Sequence, residues 1–208
     1  MDIIEKLNTR ASVKVFDKDK KVSDKDLDTI LESIRLAPSS YGLQGWKFVV
    51  ITNPKIKQQI REIAKDQSQI TDCSHLIVLC YIKDMWEDHI DKYIKEISEK
   101  RHVPFQELEM FRNRAISKAS KEHDGNVWLQ KQVYIALGFL VYTCAMLDID
   151  CCPIEWFDND KCDEILWLDK LSLWSITLCP IGYRSEDDVY SKMAKLRFPK
   201  EDVFIYIK

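Results

Sequence analysis

One stretch constrains this chain more than any other. Residues 133–147, VYIALGFLVYTCAML, are almost wholly apolar and lie between Lys131 and Asp148. The run is about five residues short of the roughly 20 that a bilayer span needs. A helix apolar all round is instead buried in a large core or an interface. The spacing predicts a central helix over about 126–147, not a membrane anchor.

The rest of the chain alternates strands and helices around that helix. Residues 2–9 read as a short amphipathic helix. Ser23 caps a second, with Leu27, Ile30, Leu31 and Ile34 at helical spacing. Residues 46–51 read as a strand, and Pro54 opens a helix to about residue 65. Residues 75–82 are a continuous apolar run, which suits a strand buried on both faces. Residues 84–124 are charged and helical in pattern, with a break at Pro104. Residues 150–154 are extended, 159–166 helical, and 173–181 a second buried strand. The tail, Val203-Phe204-Ile205-Tyr206-Ile207, is strongly β-prone and needs a sheet edge, which a partner can supply. This order predicts one domain over residues 1–208, of α+β or α/β class in three layers.

Composition excludes several chemistries. The 208 residues carry 31 Lys and Arg against 34 Asp and Glu, a net charge of -3. No cationic footprint for nucleic acid is expected. Five glycines, none in a G-x-G-x-x-G or Walker pattern, leave no phosphate loop. No serine sits in a nucleophile elbow, and no two of the four histidines have zinc-protease spacing. The seven cysteines contain no C-x-x-C pair; with a charged N-terminus that is no export signal, they read as reduced core thiols of a cytoplasmic protein. Side chains that do not advertise a reaction leave a bound cofactor as the economical source of chemistry.

Four features stand out. Arg10, Ser12 and Lys14 alternate, so in an extended segment all three share a face. Two cations and a hydroxyl there can hold a phosphate. Lys195 and Arg197 repeat the spacing near the other end. By spacing alone both read more readily as solvated basic stripes. Pro38-Ser39-Ser40 follows a helix and reads as turn chemistry or a ligand loop. Pro153-Ile154-Glu155 follows the central helix, with Glu155 a cap or a site residue.

Taken in order, these pieces resemble the FMN-dependent nitroreductase family, in its oxygen-insensitive NAD(P)H nitroreductase and dihydropteridine reductase group. R-A-S-V-K-V-F resembles its R-x-S-x-K-x-F start, and A-P-S-S-Y-G-L-Q-G-W-K-F-V-V its A-P-S-S-x-x-x-Q-P-W-x-F-x-V segment. S-H-L-I-V, K-Q-V-Y-I-A-L-G-F, C-P-I-E-W-F-D and K-L-R-F-P follow in order. The resemblance implies an α+β, three-layer fold with a mixed central sheet flanked by helices. It also implies a homodimer whose C-terminal strands are swapped, with FMN sites in the interface.

The same resemblance implies roles. Arg10, Lys195 and Arg197 hold the FMN phosphate, supported by Ala11 and Ser12. Lys14 sits beside the flavin N1 and C2 carbonyl. Pro38, Ser39 and Ser40 reach the flavin from the other subunit. Asp66 and Gln69 approach the pyrimidine edge, and Gln132 the ribityl chain. Pro153, Ile154, Glu155 and Trp156 cover one flavin face. Tyr41 and Phe111 line a substrate slot. NAD(P)H donates hydride to flavin N5, and a nitroaromatic, quinone or similar small aromatic acceptor takes two electrons in a ping-pong cycle. No metal, nucleic acid or membrane takes part. A flavin-binding sensor or store with little turnover is the alternative, favoured if Tyr41 and Trp156 fill the slot. The chain departs from the family at Ala11, where His occurs, at Gly45, where Pro is usual, and at Trp156, where Gly is usual.

Overall fold

A computed structural model describes residues 2–85, 87–120 and 124–208. Its helices are α1 (Ile3–Thr9), α2 (Asp24–Arg35), α3 (Pro54–Glu62), α4 (Gln69–Asp72), α5 (Glu87–Arg101), α6 (Glu109–Ala119), α7 (Gly125–Met146), α8 (Asn159–Leu166) and α9 (Lys200–Val203). The strands are β1 (Trp46–Ile51), β2 (His75–Ile82), β3 (Asp150–Cys151) and β4 (Leu173–Gly182).

Local chemistry sets most boundaries. Ser23 Oγ accepts from Asp26 N at the start of α2, and Asn53 caps α3 with Pro54 at its first position. Asp158 caps α8 through Lys161 N. α3 stops at Glu62, three residues before the sequence expectation, because Lys65 and Asp66 both turn left-handed, at φ 53° and 54°.

The strands form one sheet in the order β1-β2-β4-β3, and all three pairings are antiparallel. A parallel bridge between Ser12 and Cys151 adds the N-terminal segment at the β3 edge, so the sheet is mixed through that bridge. β2 is buried at every position after His75, as its unbroken apolar run requires. Two helical groups cover it: α7 packs on the sheet with α1 and α2 against it, while α8 packs on β4 with α3 beside it. The β1 register pairs Trp46 with Tyr81 and Ile51 with Leu76, and β2 and β4 shift register between Leu79 and Cys80.

α7 is the helix expected from the apolar run, but a single chain does not enclose it. Leu129, Val133, Ala136, Leu140 and Cys144 face the core. Val127, Tyr134, Ile135, Phe139 and Tyr142 form a second, exposed stripe, each 39–48% accessible. The tail is the other unpartnered piece. Residues 204–208 form no strand here, and Ile205, Tyr206 and Ile207 are 80–95% exposed. No helix among the described residues is long and apolar enough to cross a membrane.

Candidate functional site

The N-terminal segment behaves as its alternation requires. Val13 is buried, while Ser12 and Lys14 on either side of it are not. Bridges at Ser12–Cys151 and Phe16–Arg184, with Ser185 N donating to Val15 O, fasten the segment to the sheet edge. The C-terminal arm comes back to the same place. Lys195 Nζ donates to Leu7 O at 2.7 Å and Arg10 O at 2.5 Å, the carbonyls that end α1. An ammonium suits these unpaired carbonyls, and its third N–H remains for another acceptor.

Arg10, Ala11, Ser12, Lys195 and Arg197 thereby line one cleft of about 440 Å³. Arg184 lines it too, a cation that sequence reasoning missed. Its guanidinium is committed to the buried Asp150 by contacts of 2.5–3.0 Å, and this pairing holds its pKa above the usual value. Burial, then the charges of Arg10, Arg197 and Arg184, pushes the Lys195 ammonium below its usual pKa. An ammonium depressed by neighbouring cations is one that a bound anion stabilises.

Lys14, two residues beyond Ser12, reaches the 152–156 segment, with Nζ 3.2 Å from Cys152 Sγ. Burial keeps that thiol neutral, more than Lys14 favours its thiolate. The segment is set by Ile154, whose N–H and carbonyl pair with Leu178. Beyond it, Tyr134 of α7 donates its hydroxyl to Glu155 Oε1 at 2.7 Å. Burial and the Glu155 carboxylate push the Tyr134 pKa up to about 12. Trp156 is 72% exposed, with Lys65 Nζ 4.6 Å above its ring.

The expected pyrimidine-edge residues divide. Asp66 is exposed and paired with Arg61 at 2.6 Å. Gln69 is buried, donating to Gln67 Oε1 at 3.0 Å, and Gln67 in turn donates to Trp156 O. Gln67 was not singled out from sequence. Only its position in a turn beside Gln69 could have suggested it.

A separate group forms around the start of α7. Gln132 is buried, accepting from Ser40 N at 2.9 Å and donating to Trp128 O at 3.0 Å. Ser39 Oγ accepts from Gln44 N, and Pro38 is exposed beside it. Tyr41 and Gln44 hold φ near 57° and 50°, strain of a kind that collects at ligand sites. The Tyr41 ring packs on Phe111 at 5.5 Å and edge-on to Trp128 at 6.2 Å. Tyr41 also borders an open cleft of about 680 Å³ along α6, with Met110, Asn113 and Arg114. None of Pro38, Ser39, Ser40, Tyr41 or Gln132 lines the cation cleft of its own chain.

The fold and sequence have clear counterparts. A protein of Staphylococcus haemolyticus bearing the name NAD(P)H nitroreductase is 36% identical, with 99% of this chain and 97% of that protein aligned. A Bacillus subtilis crystal structure, ydfN, named as a nitroreductase, superposes with a TM-score of 0.87 at 17% identity, covering 98% of each chain. An Exiguobacterium sibiricum structure, also named as a nitroreductase and solved in complex with FMN, gives 0.77 at 22% identity, covering 100% of this chain and 98% of the other. At those identities the two structures speak to the fold alone. The family model described as Nitroreductase family matches residues 7–183, and with the S. haemolyticus relative spanning nearly the whole sequence, the chain belongs to the nitroreductase family.

Proposed function

We propose that this chain is an FMN-dependent oxidoreductase that moves two electrons from NAD(P)H to nitroaromatics, quinones or related small aromatic acceptors. The observation that carries this is the meeting of the two chain ends. Arg10 and Ser12 from one and Lys195 and Arg197 from the other line a single cleft, with Lys14, two residues beyond Ser12, reaching the 152–156 segment. The donor set fits FMN. Several cations and a hydroxyl suit a phosphate dianion, and a lysine further in suits an electron-rich ring edge.

When bound, FMN supplies the chemistry, accepting a hydride equivalent from NAD(P)H and passing two electrons onward in ping-pong order. The chain's residues hold and bias it. Arg10, Ser12, Lys195 and Arg197 hold the phosphate, with Ala11 between them. Lys14 places positive charge at the N1–C2 edge, favouring added electron density there. The N–H groups at Glu155 and Trp156 would serve the reactive N5 edge and Pro153 and Ile154 one ring face, with Glu155 steadied by Tyr134. Gln69, with Gln67 beside it, serves the pyrimidine edge, and Asp66 has the lesser part. Tyr41 and Phe111 wall the acceptor slot.

The chain acts as one domain, in a homodimer with the sites at the interface. Support comes from the exposed stripe of α7 and from Leu196, Phe198, Ile205, Tyr206 and Ile207, each at least 80% exposed in one chain. Apolar surface of that extent marks an association site. Pro38–Ser40, with Gln132 bonded to Ser40, do not line the cation cleft of their own chain and then serve the partner's flavin. Seven free, buried cysteines suit a reducing, cytoplasmic setting.

The test is anaerobic spectroscopy of the purified protein loaded with FMN. NADH or NADPH should bleach the flavin band, and a nitroaromatic or quinone should restore it. Protein that takes up no FMN refutes the proposal. Flavin that neither nucleotide bleaches leaves a flavin store instead.

A further inference from the structure

Asp188 is fully buried, in the turn that follows β4. Its two carboxylate oxygens face different parts of the chain. Oδ1 accepts from Lys14 N at 2.9 Å and from Val15 N at 3.0 Å. Oδ2 accepts from Ser191 N at 2.8 Å, and Ser191 Oγ returns a bond to Asp188 O at 3.0 Å. The first segment carries Arg10, Ser12 and Lys14. The second runs directly into Lys195 and Arg197. Both walls of the cation cleft are therefore hung on one side chain, and Lys195 ties the far end of the arm to α1.

Only a carboxylate satisfies this arrangement. An amide has one acceptor oxygen, so it can serve the Lys14–Val15 pair or Ser191, and its NH₂ then confronts an N–H on the other side. Burial alone raises the Asp188 pKa, but the N–H groups of Lys14, Ser191 and Val15 outweigh it and hold the acid below its usual value. The group stays ionised, and both oxygens remain acceptors.

We infer that Asp188 is a positioning residue for the flavin phosphate: by joining the 14–15 backbone to the Ser191 backbone it holds the cations of the two chain ends in register. This rests on the reading of the cleft as the FMN phosphate site. Asp188→Asn separates the two functions, since its one oxygen can keep the Lys14–Val15 pair while the arm loses its tie. Riboflavin, which lacks the phosphate, gauges the part of the site that the arm does not serve.

The experiment titrates the full-length chain, freed of flavin, with FMN and with riboflavin, followed by flavin fluorescence. For Asp188→Asn, FMN affinity should fall about tenfold or more while riboflavin affinity holds. Ser191→Pro deletes the donor and leaves the carboxylate, and should give the same selective loss. It keeps the inference open to test if Asp188→Asn does not fold. Unchanged FMN affinity in the folded variants, or equal weakening of both flavins, overturns the inference, because the carboxylate then merely supports the fold. Wild-type protein that binds neither flavin overturns the reading of the cleft itself, and is told apart by that result.

Discussion

Gly45 stands where the family resemblance leads one to expect Pro, and its surroundings favour glycine. Its φ is not left-handed, so the backbone does not demand glycine. Space does. A Cβ at this position lies 2.4 Å from Met85 Cε and 2.5 Å from Leu129 Cδ2. Carbon atoms in contact prefer about 3.5–4.0 Å, so each overlap exceeds about 1 Å. The Met85 methyl is a flexible end, but Leu129 is 1% exposed within α7 and cannot withdraw. Overpacking of this kind costs about 1–3 kcal/mol. For a chain of this size about 2 kcal/mol lowers Tm by roughly 4–8 °C. Gly45→Ala should show that loss in thermal melts of the flavin-loaded protein. Gly45→Pro should lose more, because Gln44 before it holds φ 50° and a following proline favours extended backbone there. The decisive assay is a double-mutant cycle with Met85→Ala. Removing the methyl should recover part of the Gly45→Ala loss, with a coupling of at least about 0.5 kcal/mol. Strict additivity of the two changes would refute the steric argument.

Two further substitutions probe other parts of the account. Gln132→Leu removes the acceptor for Ser40 N and leaves that donor unpaired beside the buried face of α7, at about 1–3 kcal/mol. A Tm drop of roughly 2–12 °C is expected, and an unchanged melt would show that the Ser40 loop is held by something else. Asp163 is 3% exposed and accepts from Ser175 N; burial raises its pKa above the ordinary 3.8. The folded state then binds the proton more tightly than the unfolded one. The stabilising contribution is complete below 3.8 and is lost as pH rises from there through the raised folded value. Asp163→Asn keeps the acceptor without the charge. Relative to wild type, it should gain stability as pH climbs through that window, measured by paired melts across pH. A difference independent of pH would contradict this.

How much the sequence disclosed follows from the range of the forces involved. Strands 46–51 and 75–82 and the capped helices were legible because their causes lie within a few residues: Ser23, Asn53 and Pro54, and an apolar run with no polar interruption. The cation sets at residues 10–14 and 195–197 were visible as spacing. Their meeting was expected only through resemblance to a family, since nothing local brings residue 195 to the end of α1. The amphipathic split of α7 was hidden, because an all-apolar helix does not show which stripe the core will claim. Asp188, Gln67 and Arg184 went unremarked for the same reason: each gains its role from backbone groups or carboxylates distant in sequence or across a turn. The tail is the converse case. Its β-prone pattern is plain, yet residues 204–208 join no strand within the lone chain.

The central claim is that positive side chains from both chain ends grip the phosphate of a bound flavin. The most direct measurement compares the affinities of wild-type protein for FMN and for riboflavin under identical salt. Charge-assisted contacts of this number predict that FMN binds at least about a hundredfold more tightly. Equal affinity for the two flavins would contradict the account, because the cleft would then have no hold on the phosphate.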